Sequence, residues 1–203
     1  MPPAAKDANK LDNIQVLVLD GSAHAADLLR EVFIKLGFSN IQVVNDGYEG
    51  IQAMKRKVVH LVFTDWELRV RKKRSPLGDE AEAPSTDQDL LPLSGAEFVR
   101  RLRRSPHSPN PFVPVVMVVN QNADEHAARA RDAGVNEVVA KPLRAGDLCR
   151  RIMSLIDDKR HFITAETYKG PCRRREATPL AAGASERRVR QVRLVRRKEM
   201  RSV

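Results

Sequence analysis

The chain has few of the residues that would cross-link it or hold it in a bilayer. Two cysteines, Cys149 and Cys172, are too few for a disulfide framework, so a reducing cytoplasm is the expected compartment. No apolar run approaches the ~20 residues that cross a bilayer, and the polar opening stretch 1–9 lacks the apolar segment of a signal peptide. The five histidines, His24, His60, His107, His126 and His161, have no metal-ligand spacing and read as surface or turn residues. There is no internal repeat and no helix-turn-helix pattern.

Positive charge is abundant and concentrated. Residues 169–203 hold twelve Lys or Arg and three acids, a net +9 of the chain's total of +10. The body is therefore nearly neutral, and a polyanionic partner belongs to the C-terminal end.

Between residues 14 and 156 short apolar runs alternate with helical patterns. The run at 16–19 (VLVL) ends in Asp20-Gly21-Ser22, as a buried strand does on meeting a turn. Leu28, Leu29, Val32, Phe33 and Leu36 share a helical face closed by Gly37. Further strands are expected at 41–44, 61–64, 113–119 and 138–140. Helices fall at 48–56, after Gly95, after the fourth strand, and around Leu148, Ile152, Leu155 and Ile156. Five such alternations predict an α/β fold, a five-stranded parallel sheet doubly wound by helices. Its functional crevice lies beyond the carboxyl ends of the strands, which directs attention to Asp20, Asp65, Val119, Asn120 and Lys141. The expected organisation is a flexible N-terminus (1–12), one domain (13–158) interrupted by a polar surface loop (70–92), and a disordered arginine-rich tail (159–203).

Convergence of Asp20, Asp65 and Lys141 would suit phosphoryl transfer to a carboxylate. Two acids bind a hard divalent cation through oxygen, the cation offsets developing charge, and a lysine pairs with phosphoryl oxygens. The segments VLVLDGS (16–22), LVFTDWEL (61–68), 114–119 and VVAKP (138–142) together resemble the CheY-like receiver domain of two-component systems. That resemblance implies flavodoxin-like topology, Asp65 as phosphoacceptor, and Lys141 as the lysine that contacts the phosphate. It further implies a Mg²⁺ site made by Asp20, Asp65 and the backbone carbonyl of Glu67, a histidine kinase or phosphotransfer protein as donor, and a protein target on the receiver surface. Such a domain is not an enzyme beyond its own phosphorylation and dephosphorylation. Asp20 is also well placed to cap the following helix.

The sequence departs from that family at several points. Gly21 stands where a second acid is usual, so Mg²⁺ binding should be weak. Val119 occupies the place of a Ser or Thr that bonds the phosphoryl group, and Val138 that of an aromatic switch partner. Arg69 replaces a proline. Asp65 and Gly95 are separated by a long insertion, which is expected to form a mobile cover or a partner contact.

In the tail, Tyr168, Gly170 and Pro171 precede Arg173, Arg174 and Arg175, and a second cluster holds Arg187, Arg188 and Arg190. Guanidinium groups pair bidentately with phosphate and stack on bases. Val189, Val192 and Val195 recur every third residue and suggest an amphipathic helix formed on binding. The Tyr-x-Gly-Pro-x-Arg-Arg pattern resembles the extensions of Cle-type CheY-like proteins. That likeness implies cyclic di-GMP as ligand and the flagellar motor as target. The alternatives are a phospho-accepting regulator whose tail binds nucleic acid or another polyanion, an anionic membrane surface as that polyanion, and a phosphate sink with an incidental tail.

Overall fold

A computed structural model describes residues 11, 13–68, 94–120, 124–156, 158, 160–172 and 193–195. The loop 70–92 and all six of the tail arginines singled out above lie outside these residues. In chain order the elements are β1 (Gln15–Leu19), α1 (Ala23–Lys35), β2 (Asn40–Val44), α2 (Gly47–Arg56), β3 (Leu61–Asp65), α3 (Gly95–Arg104), β4 (Val115–Val119), α4 (Asp124–Ala133), β5 (Glu137–Ala140) and α5 (Ala145–Ile156). Three short strands follow: β6 (Phe162–Thr164), β7 (Lys169–Pro171) and β8 (Arg193–Val195).

The first five strands form one parallel sheet in the order β2-β1-β3-β4-β5, the flavodoxin-like arrangement with its switch point between β1 and β3. The period-2 alternation of strand side chains divides the core in two. Leu17, Leu19, Val62, Val115, Met117 and Val119 pack with Met54, Phe98, Val99 and Leu102 from α2 and α3. Val16, Val18, Leu61, Phe63, Val116 and Val118 pack on the other face with Leu29 and Phe33 of α1 and Leu148, Ile152 and Leu155 of α5. The first three helices start where the sequence supplies a cap. The Ser22 side chain accepts from the Ala25 amide, Asp46 from Glu49, and Ser94 forms a reciprocal capping box with Glu97. Leu11, within the stretch expected to be flexible, is buried against the second of the two cores.

The C-terminal boundary lies further along the chain than the sequence suggests. Residues 160–172 fall in the expected tail, yet β6 and β7 form an antiparallel hairpin in which Phe162 pairs with Pro171 and Thr164 with Lys169. β8 adds to the other side of β6, while Val189 and Val192 of the expected amphipathic stretch lie outside the described residues.

Arg103 explains why the hairpin docks. Its side chain is fully buried at the end of α3. Its Nε donates to the Gly134 carbonyl at 3.0 Å, Nη1 to the carbonyls of Pro111 and Val113 at 2.8 Å each, and Nη2 to Asn136 Oδ1 at 3.1 Å. Phe162 covers the guanidinium, 5.1 Å from its ring centre, and meets Phe112 edge-on. Burial pulls the Arg103 pKa down to about 9, with Tyr168 acting in the opposite sense. The closeness of the two segments depends on glycine. Gly134 has φ +96°, and a Cβ there would strike the Lys169 carbonyl, while one at Gly170 would strike the Tyr168 hydroxyl. Beside the hairpin, at the amino-terminal rim of the sheet, lies an apolar cavity of about 540 Å³ bordered by Phe38, Val59, Phe112, Phe162 and Pro171.

Candidate functional site

Parallel strands deliver their last residues to one edge, and here that edge carries the charges. Asp65 ends β3 with its side chain 11% exposed. The Lys141 ammonium, just after β5, donates to Asp65 Oδ2 at 2.8 Å. The Trp66 amide donates to Asp65 Oδ1 at 2.8 Å and also faces the Val118 carbonyl at 3.0 Å. Both carboxylate oxygens are therefore oriented before any ligand arrives. The start of α3 closes the floor: the Gly95 amide donates to the Trp66 carbonyl at 2.8 Å, and a Cβ on Gly95 would collide with the Asp65 carbonyl.

Asp20 follows β1, which pairs directly with β3, and is 1% exposed. It does not cap α1, since Ser22 does. Instead Asp20 Oδ1 accepts from the Ser22 amide at 2.8 Å. Burial, and to a lesser degree the Asp65 carboxylate, raises the Asp20 pKa, against the lowering effects of the Ser22 amide and Lys141. A carboxyl that binds its proton more tightly when folded stabilises the fold at low pH. That contribution fades as pH climbs above the ordinary carboxyl value of 3.8 through the raised one. Replacing Asp20 by Asn should therefore stabilise the protein by about 1 kcal/mol at pH 7 and by less at pH 4. Urea denaturation at the two pH values, without divalent cations, checks this.

Two carboxylates against one ammonium leave one negative charge in excess, and the donors are all oxygen, which suits a hard divalent cation. Asp20 and Asp65 would hold it. The Glu67 carbonyl, the third expected ligand, accepts from the Gly21 amide at 3.3 Å, and a carbonyl has a second lone pair to offer. Among the described residues no group of three or more His, Cys, Asp or Glu side chains is placed to hold a metal. The oxygen donors of Asp20, Asp65 and Glu67 fit the preference of a hard cation such as Mg²⁺.

The other expected site residues lie elsewhere. Tyr168, Gly170 and Pro171 belong to the hairpin, where the Tyr168 hydroxyl donates to the Pro171 carbonyl at 2.7 Å. Their pattern is accounted for by packing within the domain. Two features escape the sequence reading. Arg103 sits in a basic stretch that looks solvated, although its position one turn after Val99 placed it on the apolar face of α3. His126, read as a surface residue, is half-buried and stacks on Trp66 with centroids 4.1 Å apart and planes 12° from parallel.

No family model matches the chain. It is 21% identical over 145 residues to the chemotaxis protein CheY-3 of Vibrio cholerae, covering 71% of this chain and 93% of that one. A probable chemotaxis protein CheY of Rhizobium etli is 25% identical over 131 residues, covering 64% of this chain and 83% of that one. Among solved structures, a CheY-like receiver domain protein of Methanospirillum hungatei superposes with a TM-score of 0.52 at 17% identity, over 71% and 94% of the two chains. A response regulator of Chloroflexus aurantiacus gives 0.55 at 18% identity, over 71% and 99%. These solved structures share the fold. Among the described residues no helix is long and apolar enough to cross a membrane.

Proposed function

With a CheY-like receiver domain as its body, the chain, we propose, accepts a phosphoryl group on Asp65 from a histidine-bound donor in two-component signalling. The observation that carries this reading is the 2.8 Å pair between Lys141 and Asp65 at the carboxyl ends of β5 and β3, beside the switch point of the sheet. In the reaction an Asp65 carboxylate oxygen forms a bond to phosphorus while the donor's P–N bond breaks. The imidazole leaves with the electron pair of that bond and takes up a proton. Lys141, already on the carboxylate, follows the negative charge onto the phosphoryl oxygens. The Trp66 amide holds the non-attacking side of the carboxyl, and the α3 floor fixes the angle of approach. A cation held by Asp20 and Asp65 would supply charge neutralisation, weakly, since Gly21 contributes no carboxylate.

Acetyl phosphate with Mg²⁺ tests the proposal. Acid-labile phosphate should accumulate on the wild type and be absent from Asp65→Asn. Lys141→Ala should label about a hundredfold more slowly, as expected on removing a charge-stabilising donor. A wild type that takes up no label refutes the reading.

A second reading concerns the arginine-rich segment. Its first cluster follows directly on Cys172, whose amide bonds the His161 carbonyl at 2.8 Å, so a firmly docked hairpin roots it. We infer that this segment captures a phosphate-bearing ligand, for which cyclic di-GMP has the right pairing of phosphates and guanines, and that it tunes a partner such as the flagellar motor. Nucleic acid is the competing ligand. Calorimetry on the full chain should give saturable cyclic di-GMP binding that Arg173→Ala/Arg174→Ala/Arg175→Ala weakens at least tenfold. Equal heats from GMP, or steeply salt-dependent binding of duplex DNA alone, would point away from it.

A further inference from the structure

Two groups hold the Asp65 carboxylate: the Lys141 ammonium and the Trp66 amide. β4 ends beside it in Val119, a hydrocarbon side chain with nothing to offer a phosphoryl oxygen. Lys141 leads into α5, and Trp66 leads somewhere else. Its indole, only 9% exposed, lies flat against the His126 imidazole of α4. The Arg129 guanidinium, on the next turn of the same helix face, sits 5.4 Å from the indole centre. The buried Nδ1 of His126 has no hydrogen-bond partner among the described residues, so ring contact rather than a polar bond locates the imidazole. The acceptor is thus joined to α4 through one peptide unit and one aromatic stack.

We propose that the Trp66–His126 stack, with Arg129 beside it, is the route by which phosphorylation of Asp65 alters α4. This rests on Asp65 being the acceptor. Formation of the acyl phosphate changes what the Trp66 amide faces: Asp65 Oδ1 loses its share of the carboxylate charge and becomes a poorer acceptor. The amide is already shared with the Val118 carbonyl at 3.0 Å, so its balance moves toward β4 and the Trp66 backbone turns with it. Near-parallel rings at 4.1 Å cannot slide far without losing contact, so α4 follows or the stack opens. Lys141 leaves the carboxylate for the phosphoryl group at the same step, which frees the peptide to turn. His126 and Arg129 act here as positioning residues and touch no reacting atom.

The test uses the full chain with Mg²⁺ and beryllofluoride as phosphoryl mimic, reading amide exchange over 124–133 by mass spectrometry and the emission of Trp66, the chain's one tryptophan. Acetyl phosphate labelling of Asp65 is measured in parallel. In the wild type, beryllofluoride should change exchange in α4 by roughly threefold to tenfold and shift the emission. His126→Ala should label at Asp65 as the wild type does yet lose the α4 response, and His126→Phe, which keeps a flat ring, should recover it. An α4 response undiminished in His126→Ala, or none in a wild type that labels normally, overturns the stack as the route while leaving Asp65 as acceptor. Absence of labelling instead removes the acceptor reading, and the route with it.

Discussion

Arg103→Ala lowers the stability of the domain by about 4 kcal/mol and releases the β6–β7 hairpin. The substitution leaves the carbonyls of Pro111, Val113 and Gly134 and the amide oxygen of Asn136 without the donors they have now. Each such orphaned acceptor costs about 1–3 kcal/mol, less where water enters. Asn136 Oδ1 keeps its bond from the Val115 amide at 3.0 Å, so the loss is greatest at the three carbonyls. Against a total stability of about 5–15 kcal/mol this is a large share. Arg103→Lys should recover little, because one ammonium cannot span acceptors on opposite sides of a planar fork. Urea denaturation gives the magnitude. Amide exchange at 162–164 and 169–170 should rise in Arg103→Ala while that of β1 and β3 changes least.

Gly95→Ala should damage stability and chemistry together. The first residue of α3 has no room for a side chain: its Cβ would meet the Asp65 carbonyl oxygen and the Thr64 hydroxyl. The helix cannot simply back away, since the Gly95 amide is bonded to the Trp66 carbonyl and the Ser94–Glu97 box fixes its first turn. Relieving the overlap costs about 2–3 kcal/mol. It also displaces the strand end carrying Asp65, and misplacement of that order slows a reaction by about a hundredfold. Acetyl phosphate labelling of Gly95→Ala at a temperature where circular dichroism shows it folded separates the two effects. Unaltered labelling would mean that the acceptor tolerates movement of its floor.

The main sheet was legible because its signals are long and mutually consistent. Runs such as VLVL and LVFT are apolar, continuous and followed by turn residues, and the first three helices carry their own caps. That Asp65 and Lys141 could meet was legible because parallel strands end at one edge, and the CheY-like resemblance added the strand order that brings them together. Asp20 was harder. Sequence cannot say whether an acid before a helix caps it, and here Ser22, two residues on, takes that role. The hairpin was invisible for a different reason. Strands of three residues have no period to read, and what holds them is a contact between α3 and residues some sixty positions later. Likewise a histidine stacked on a tryptophan leaves no trace in spacing, because the stack exists only once β3 and α4 have packed.

The docked hairpin also gives the molecule polarity. Asp65 looks out from the carboxyl rim of the sheet, whereas Pro171 borders a cavity shared with Val113, Pro114 and Asn136 on the amino rim. A molecule seated over Asp65 and one seated against the hairpin would approach from opposite ends of the strands, leaving each other's path clear. The parallel strands are the rigid bar that keeps those two ends apart.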